Sequence, residues 1–222
     1  MSTPQTAPGH TGRAPGPAGL RRFVVPAPPR QERCELCGAP VAEEGHRHLV
    51  DTGNRVLACA CTPCALLFET PGAGRGRFRA VPDRYLTDSG HSLDDGAWEL
   101  LQIPVGVVFF FRNAALDRLV ALYPSPAGAT ESELDPADWQ HVLDRTRLAD
   151  LLEPDVEALL LRRTDGVCEC FLVPIDICYE LVGRMRLHWQ GFDGGPEARA
   201  DLAAFFTHVR GRARELPKED GA

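Results

Sequence analysis

The sequence predicts an α+β fold in which a small N-terminal metal module precedes a larger domain built on an antiparallel sheet. Three observations support this prediction. Five of the eight cysteines lie between residues 34 and 64 and include two Cys-x-x-Cys pairs. Residues 105–111 form an apolar run rich in β-branched and aromatic residues, which is typical of a strand buried on both faces. The dipeptide Asp165-Gly166 separates two further apolar segments, as in a tight β-hairpin.

The composition divides the 222 residues into five segments. The first is rich in Pro, Gly and Ala and has no apolar periodicity, so we expect it to be disordered. The predicted segments are a disordered tail over 1–32, the metal module over 33–70, a connector over 71–97 with one weak strand near 77–81, the α+β domain over 98–213 and a second disordered tail over 214–222.

The two cysteine pairs have the spacing of a four-sulfur metal site. A Cys-x-x-Cys loop directs two thiolates at one ion, and two such loops complete a tetrahedral shell of the structural zinc type. Gly38 follows the first pair, where a positive φ is often needed, whereas Ala65 follows the second. The predicted ligands are Cys34, Cys37, Cys61 and Cys64, with zinc as the ion and iron as the alternative.

A fifth cysteine, Cys59, exceeds what a tetrahedral shell needs. In an extended strand it points to the same face as Cys61, so it is a possible substitute ligand, and His46 or His48 could also replace a sulfur. Otherwise Cys59 is a small buried hydrophobic residue and the histidines lie on a solvated strand face.

The metal module itself is predicted to contain a hairpin between its two cysteine pairs. Residues 46–51 and 55–59 read as strands joined by a turn at 52–54. Pro63 and the apolar residues after Cys64 place that cysteine at the start of a short helix, where the N–H dipoles favour a thiolate.

The α+β domain is predicted to have the order β-β-α-β-β-α-α. Asp135 and Pro136 have the residue types of a helix N-terminus, and Asp176 can begin another helix. In chain order the predicted elements are strands at 105–111 and 119–123, a polar loop at 124–132, a helix at 135–152, strands at 156–162 and 167–173, a helix from 176 and a last helix from 195.

No motif in this domain identifies an active site. Cys168, Cys170 and Cys178 could form a second thiolate cluster, although buried core cysteines explain them equally. Asp176 and Glu180 have i, i+4 spacing, but helix capping and solvation account for them more simply than paired catalytic carboxylates. We therefore predict a non-catalytic protein, with an enzyme whose site lies near the 124–132 loop as an open alternative.

Charge and hydropathy exclude several classes of partner. The net charge of −7 and the pI of about 5.5 argue against binding to nucleic acid. The longest uncharged apolar stretch, 103–111, is far shorter than the roughly 20 residues of a membrane-spanning helix. Without a signal-peptide pattern, a cytoplasmic location is expected, and there thiols favour metal over disulfides.

Four blocks of sequence resemble a bacterial family of unknown function. They are Cys34-Glu35-Leu36-Cys37-Gly38, the segment 59–68, the loop 123–132 and the segment 174–183. Genes of this family neighbour [NiFe]-hydrogenase genes, so the resemblance implies a role in hydrogenase assembly or function. The cysteine pairs also resemble the iron-binding knuckles of rubredoxin, except that Ala65 replaces the second glycine.

The predicted function is that of a metal-binding accessory protein acting through protein–protein contacts. The implied partner is a hydrogenase subunit or maturation factor, contacted by the 124–129 loop together with Trp189, Gly191 and Phe192, because aromatic residues beside flexible backbone often carry interface energy. These aromatic residues could instead simply cover the sheet. The alternative function is a rubredoxin-like electron-transfer protein with iron in the four-cysteine site.

Overall fold

The structure is a computed structural model that describes residues 31–42, 45–70, 72–90, 93–125, 127–132, 143, 146–190 and 194–217. Two sheets organise these residues, one of three strands and one of seven. The α+β fold class with antiparallel sheets is confirmed. The predicted tail over 1–32 lies almost entirely outside the described residues. Gly191 and Phe192, which were predicted to contact a partner, also lie outside them.

The small sheet has the order β2-β1-β3, and both of its strand pairs are antiparallel. Its strands are β1 (Arg47–Asp51), β2 (Val56–Ala60) and β3 (Phe78–Ala80), and helix α1 (Thr62–Leu66) follows β2. The predicted hairpin is confirmed. The third strand confirms the weak strand predicted near 77–81 in the connector, and it joins the module because Phe78 and Ala80 pack against the small core there.

A buried aspartate fixes the β1–β2 turn. The Asp51 carboxylate accepts hydrogen bonds from the backbone N–H groups of Gly53 and Asn54, at 3.1 and 3.0 Å. It also accepts two from the Arg77 guanidinium, at 3.2 and 2.9 Å. Hydrogen bonds from Arg77 and then from Asn54 lower the pKa of Asp51, so this turn keeps a charged, fully partnered anchor at neutral pH.

The large sheet has the strand order β10-β4-β9-β8-β5-β6-β7. Every neighbouring pair in it is antiparallel except β10 and β4. Its strands are β4 (Leu86–Thr87), β5 (Val107–Asn113), β6 (Arg118–Ser125), β7 (Gly128–Glu131), β8 (Glu157–Thr164), β9 (Val167–Pro174) and β10 (Arg214–Glu215), and the helices are α2 (Asp95–Leu100), α3 (Ile175–His188) and α4 (Gly195–Arg212).

Apolar side chains cover both faces of this sheet. Phe109 and Leu160 pack in the core shared with α3 and α4, whereas Phe110 and Leu159 pack in the core shared with α2. All four are fully buried. Successive residues of a strand point to opposite faces, so the continuous apolar run predicted as a central strand serves two cores at once.

One predicted element differs from the structure, and another lies largely outside the described residues. The predicted polar loop at 124–132 is mostly a hairpin, since β6 extends to Ser125 and pairs with β7. The Ala127 N–H and the Thr130 hydroxyl donate hydrogen bonds to the Ser125 hydroxyl oxygen, and Gly128 takes a φ of 124°, so strand pairing replaces most of the predicted loop. The helix predicted over 135–152 lies largely outside the described residues, and its described end is a 3₁₀ turn at Ala149–Leu151.

The C-terminal end of the described chain adds a further strand. Arg214 pairs with Leu86 and Glu215 with Thr87, so β10 lies within the segment predicted as a disordered tail. Among the residues that the structure describes, no helix is long and apolar enough to cross a lipid bilayer.

The metal module packs against the α+β domain through one face of its sheet. Val50 belongs to the core that contains α3 and α4, and the His48 imidazole bonds the Asp176 carboxylate at 2.8 Å. Arg79 adds an ion pair to Glu153 at 3.1 Å. The small sheet therefore has its cysteine pairs on one side and the second domain on the other.

Candidate metal centre

The first cysteine pair is held in a tight loop by backbone hydrogen bonds. Cys34 N–H donates to the Ala39 carbonyl, and Gly38 N–H donates to the Cys34 carbonyl, both at 2.8 Å. Gly38 has a φ of 72°, the left-handed conformation that its place after the pair predicted. This loop leaves Cys34 only 2% exposed, with Cys37 at the surface.

The second cysteine pair has a different local structure. Cys61 directly follows β2 and is the N-cap of α1, and Cys64 lies within this short helix, as predicted. Ala65 N–H donates to the Cys61 carbonyl at 3.0 Å, and Ala65 is fully buried. A right-handed helical turn needs no positive φ, which explains why alanine stands where the first loop has glycine.

These two loops bring the four predicted sulfurs together. The Sγ atoms of Cys34, Cys37, Cys61 and Cys64 all lie within 4.8 Å of one another. The Cys37 and Cys61 sulfurs are 3.7 Å apart, close to the edge of about 3.8 Å expected for a tetrahedron with zinc–sulfur bonds of about 2.3 Å. The donor set therefore fits a four-coordinate metal ion, and four protein ligands would leave no open position for chemistry.

Hydrogen bonding within the cluster shifts the pKa values of Cys34 and Cys64 in opposite directions. Burial raises the pKa of Cys34, but backbone N–H groups of Cys61, Cys37 and Leu36 outweigh it and lower this pKa to about 6. The pKa of Cys64 rises to about 12, chiefly because its side chain shares hydrogen bonds with Cys61 and Cys37. Cys34 is therefore available as a thiolate near neutral pH, whereas an ion must displace the proton from Cys64.

The structure places Cys59 outside this group. Its backbone N–H donates to the Glu35 carboxylate at 2.7 Å, and its carbonyl accepts from Glu35 N–H at 2.9 Å. These bonds join β2 to the first cysteine loop. Burial raises the pKa of the Cys59 thiol, and the carboxylates of Glu32 and Glu35 raise it further, so the thiol keeps its proton unless a cation displaces it.

The remaining cysteines do not form a second thiolate cluster. Cys168 and Cys170 lie in the core beside α2, whereas Cys178 lies in the core on the opposite face of the sheet. Burial raises the pKa of Cys168 to about 11 and that of Cys170 to about 12, and it also raises the pKa of Cys178. All three are buried thiols of the hydrophobic interior, the simpler of the two sequence interpretations.

The carboxylates singled out in the sequence have separate partners. Asp176 bonds His48 and the N–H of Ile177, and Glu180 bonds Arg184 at 2.8 Å. They do not act as a pair. A second group, in which His46 and His48 lie beside Cys59, was not predicted from the sequence. Its only sequence signal is the His-x-His spacing on a strand, which places both rings on one face.

The fold and the four-sulfur group define an α+β protein with a candidate four-cysteine metal site. The chain belongs to the family of unknown function DUF5947, whose profile matches residues 33–213. The match begins just before Cys34 and therefore includes the whole metal module. Neither the curated proteins nor the solved structures contain a match.

Proposed function

We propose that this protein is a non-catalytic accessory protein whose four-cysteine site binds zinc and that it works by docking onto another protein. The observation that carries the proposal is the convergence of the Cys34, Cys37, Cys61 and Cys64 sulfurs within 4.8 Å. Such a closed shell holds structure and leaves the ion no position for substrate.

The surface beside this site supports a docking role. Leu36 lies inside the first cysteine loop and is 39% exposed, and Leu66 and Leu67 end α1 with exposures of 52% and 68%. A metal ion would hold both loops rigid, so these side chains can meet a partner at a low cost in entropy. We therefore place the contact at the cysteine loops.

The earlier candidate surface near the 124–129 segment is less suitable. That segment is largely a paired hairpin, and Trp189 is partly buried against the core that contains α3 and α4. We propose a [NiFe]-hydrogenase subunit or maturation factor as the partner, on the strength of the family resemblance in the sequence.

The experiment is affinity capture with tagged protein from cells that express a [NiFe]-hydrogenase, followed by mass spectrometry. Wild type should recover a hydrogenase component, and Leu66→Ser with Leu67→Ser should lose most of it. Leu187→Ser is the matched control, because Leu187 is 81% exposed on α3, outside the metal module. A folded, metal-loaded wild type that recovers no hydrogenase component would contradict the proposed partner.

A rubredoxin-like electron carrier is the second candidate. The backbone N–H groups that reach the Cys34 sulfur favour it, because such bonds tune the potential of iron–thiolate centres. Against it, the second pair enters a helix rather than a glycine knuckle. We expect colourless protein with one zinc in the four-cysteine site. A red chromophore that dithionite bleaches, after growth in iron-rich medium, would favour the electron carrier.

A further inference from the structure

A second group of metal-binding side chains lies on the small sheet, outside the four-cysteine site. One ring nitrogen each from His46 and His48 and the sulfur of Cys59 all lie within 4.8 Å of one another. The strand register explains the grouping. His48 is directly opposite Cys59 in the β1–β2 pair, and His46 precedes His48 by two residues, so the three side chains share a face.

Both histidines already have the partners that metal-bound histidines usually have. His48 Nδ1 bonds the Asp176 carboxylate at 2.8 Å, and His46 Nδ1 bonds the Ala42 carbonyl at 3.1 Å. A carboxylate or carbonyl that holds one ring N–H fixes the tautomer and leaves the other nitrogen, Nε2, as a basic lone pair. The two rings meet edge to face with centroids 4.8 Å apart, so both are close enough to bind one ion.

The histidines also border a cavity between the two parts of the protein. It has a volume of about 800 Å³, and its lining includes His46, His48, Asp176, Tyr179 and His208. An ion held by the three side chains could therefore reach an exchangeable ligand from this side. The four-cysteine group offers no comparable opening, because its fourth ligand is protein.

We propose that His46, His48 and Cys59 form a second metal site, which takes a divalent transition ion of the zinc class. Two imidazoles and one thiolate suit such an ion, and three protein ligands leave the fourth tetrahedral position open toward the cavity. Asp176 is a positioning residue, which holds His48 from the first turn of α3. The site is independent of the proposed docking role, since it shares no ligand with the four-cysteine group.

Metal titration of the full-length apoprotein tests this proposal. Zinc content after dialysis should reach two equivalents in wild type and one in Cys59→Ser, His48→Gln or His46→Gln. Cobalt gives a second readout, because the absorption of a four-thiolate site differs from that of a site with one thiolate and two imidazoles. Loss of one ligand should weaken the second equivalent about 100-fold or more, and Asp176→Asn should weaken it about tenfold.

His208→Gln is the matched control, because His208 lines the same cavity but lies outside the ligand group. It should keep both equivalents. Cys59→Ser changes one sulfur to oxygen and remains decisive if a histidine variant fails to fold. The proposal is wrong if wild type saturates at one equivalent, or if a folded Cys59→Ser protein holds two as tightly as wild type does.

Discussion

Removal of the metal should open the cysteine loops and leave the large sheet folded. The hydrophobic core of the metal module is small, and among the buried members that the structure describes only Val41 and Leu49 are larger than alanine or cysteine. Burying these two stabilises the module by about 3–6 kcal/mol. Ordering the backbone of the roughly eight residues 34–41 alone costs about 8–16 kcal/mol. A structural zinc ion supplies about 10–16 kcal/mol at neutral pH, enough to offset the difference.

Amide hydrogen exchange with and without a strong chelator measures this effect. The N–H groups of Gly38 and Ala65, which bond carbonyls inside the two loops, should lose nearly all protection. Amides of β8, which lies between β5 and β9, should keep theirs. Strand β1 should lose less protection than the loops, because Val50 packs in the core of the α+β domain.

Cys34→Ser should reproduce the effect of the chelator without any added reagent. Cys59→Ser is its matched control in the same module and should keep the loop amides protected from exchange. The reasoning fails if the loop amides stay protected in metal-free protein. It also fails if β8 loses protection together with the loops, since the two parts would then unfold as one unit.

Two further pairs of substitutions test the α+β domain. Glu157 is fully buried, and both of its carboxylate oxygens accept hydrogen bonds from Arg84. Glu157→Ala should therefore lower the free energy of unfolding by about 3 kcal/mol. Glu131→Ala, which removes one partner of an exposed ion pair, should lower it by less than about 1 kcal/mol. Gly106→Ala would place a Cβ 2.8 Å from a backbone carbonyl oxygen and should lower the free energy of unfolding by about 1–3 kcal/mol. Gly183→Ala, at an open helical position, should raise it by about 1 kcal/mol. Urea denaturation measures the free energy of unfolding of all four variants. Equal changes for the two glutamate variants, or for the two glycine variants, would contradict the burial and packing described for these residues.

Local patterns in the sequence predicted the parts of the fold that depend on neighbouring residues. The Asp165-Gly166 hairpin forms with positive φ at both residues, and residues 107–110 are buried on both faces of the sheet. The two cysteine pairs carry their own loop geometry, so the four sulfurs could be grouped without knowledge of the tertiary structure. Each of these features needs only a few consecutive residues.

Other elements depend on partners far away in the chain. Strands β4 and β10 each have two residues, too few to show a period, and they pair across the sequence from Leu86 to Arg214. The segment 124–132 is polar enough to read as a loop, yet hydrogen bonding to β6 makes most of it an edge hairpin. Sequence alone could not supply these pairings, because tertiary context decides them.

The grouping of His46, His48 and Cys59 could not be predicted from the sequence either, because it also depends on tertiary contacts. His48 meets Cys59 only because the turn after Asp51 sets the register, and Asp176 reaches His48 from a helix that begins more than a hundred residues later. A shift of one residue in that register would turn the histidine toward the cysteine loops. The sequence shows a His-x-His spacing, but only the folded sheet brings a thiol to it.

The two faces of the β1–β2 hairpin therefore contact different parts of the protein. Leu49 and Ala58 point toward the cysteine loops, where four sulfurs can close around an ion. His48 and Val50 point toward the α+β domain, where an imidazole already has a carboxylate partner. Because alternate residues of one strand serve both faces, an ion that orders the cysteine loops also fixes the strand that presents His48.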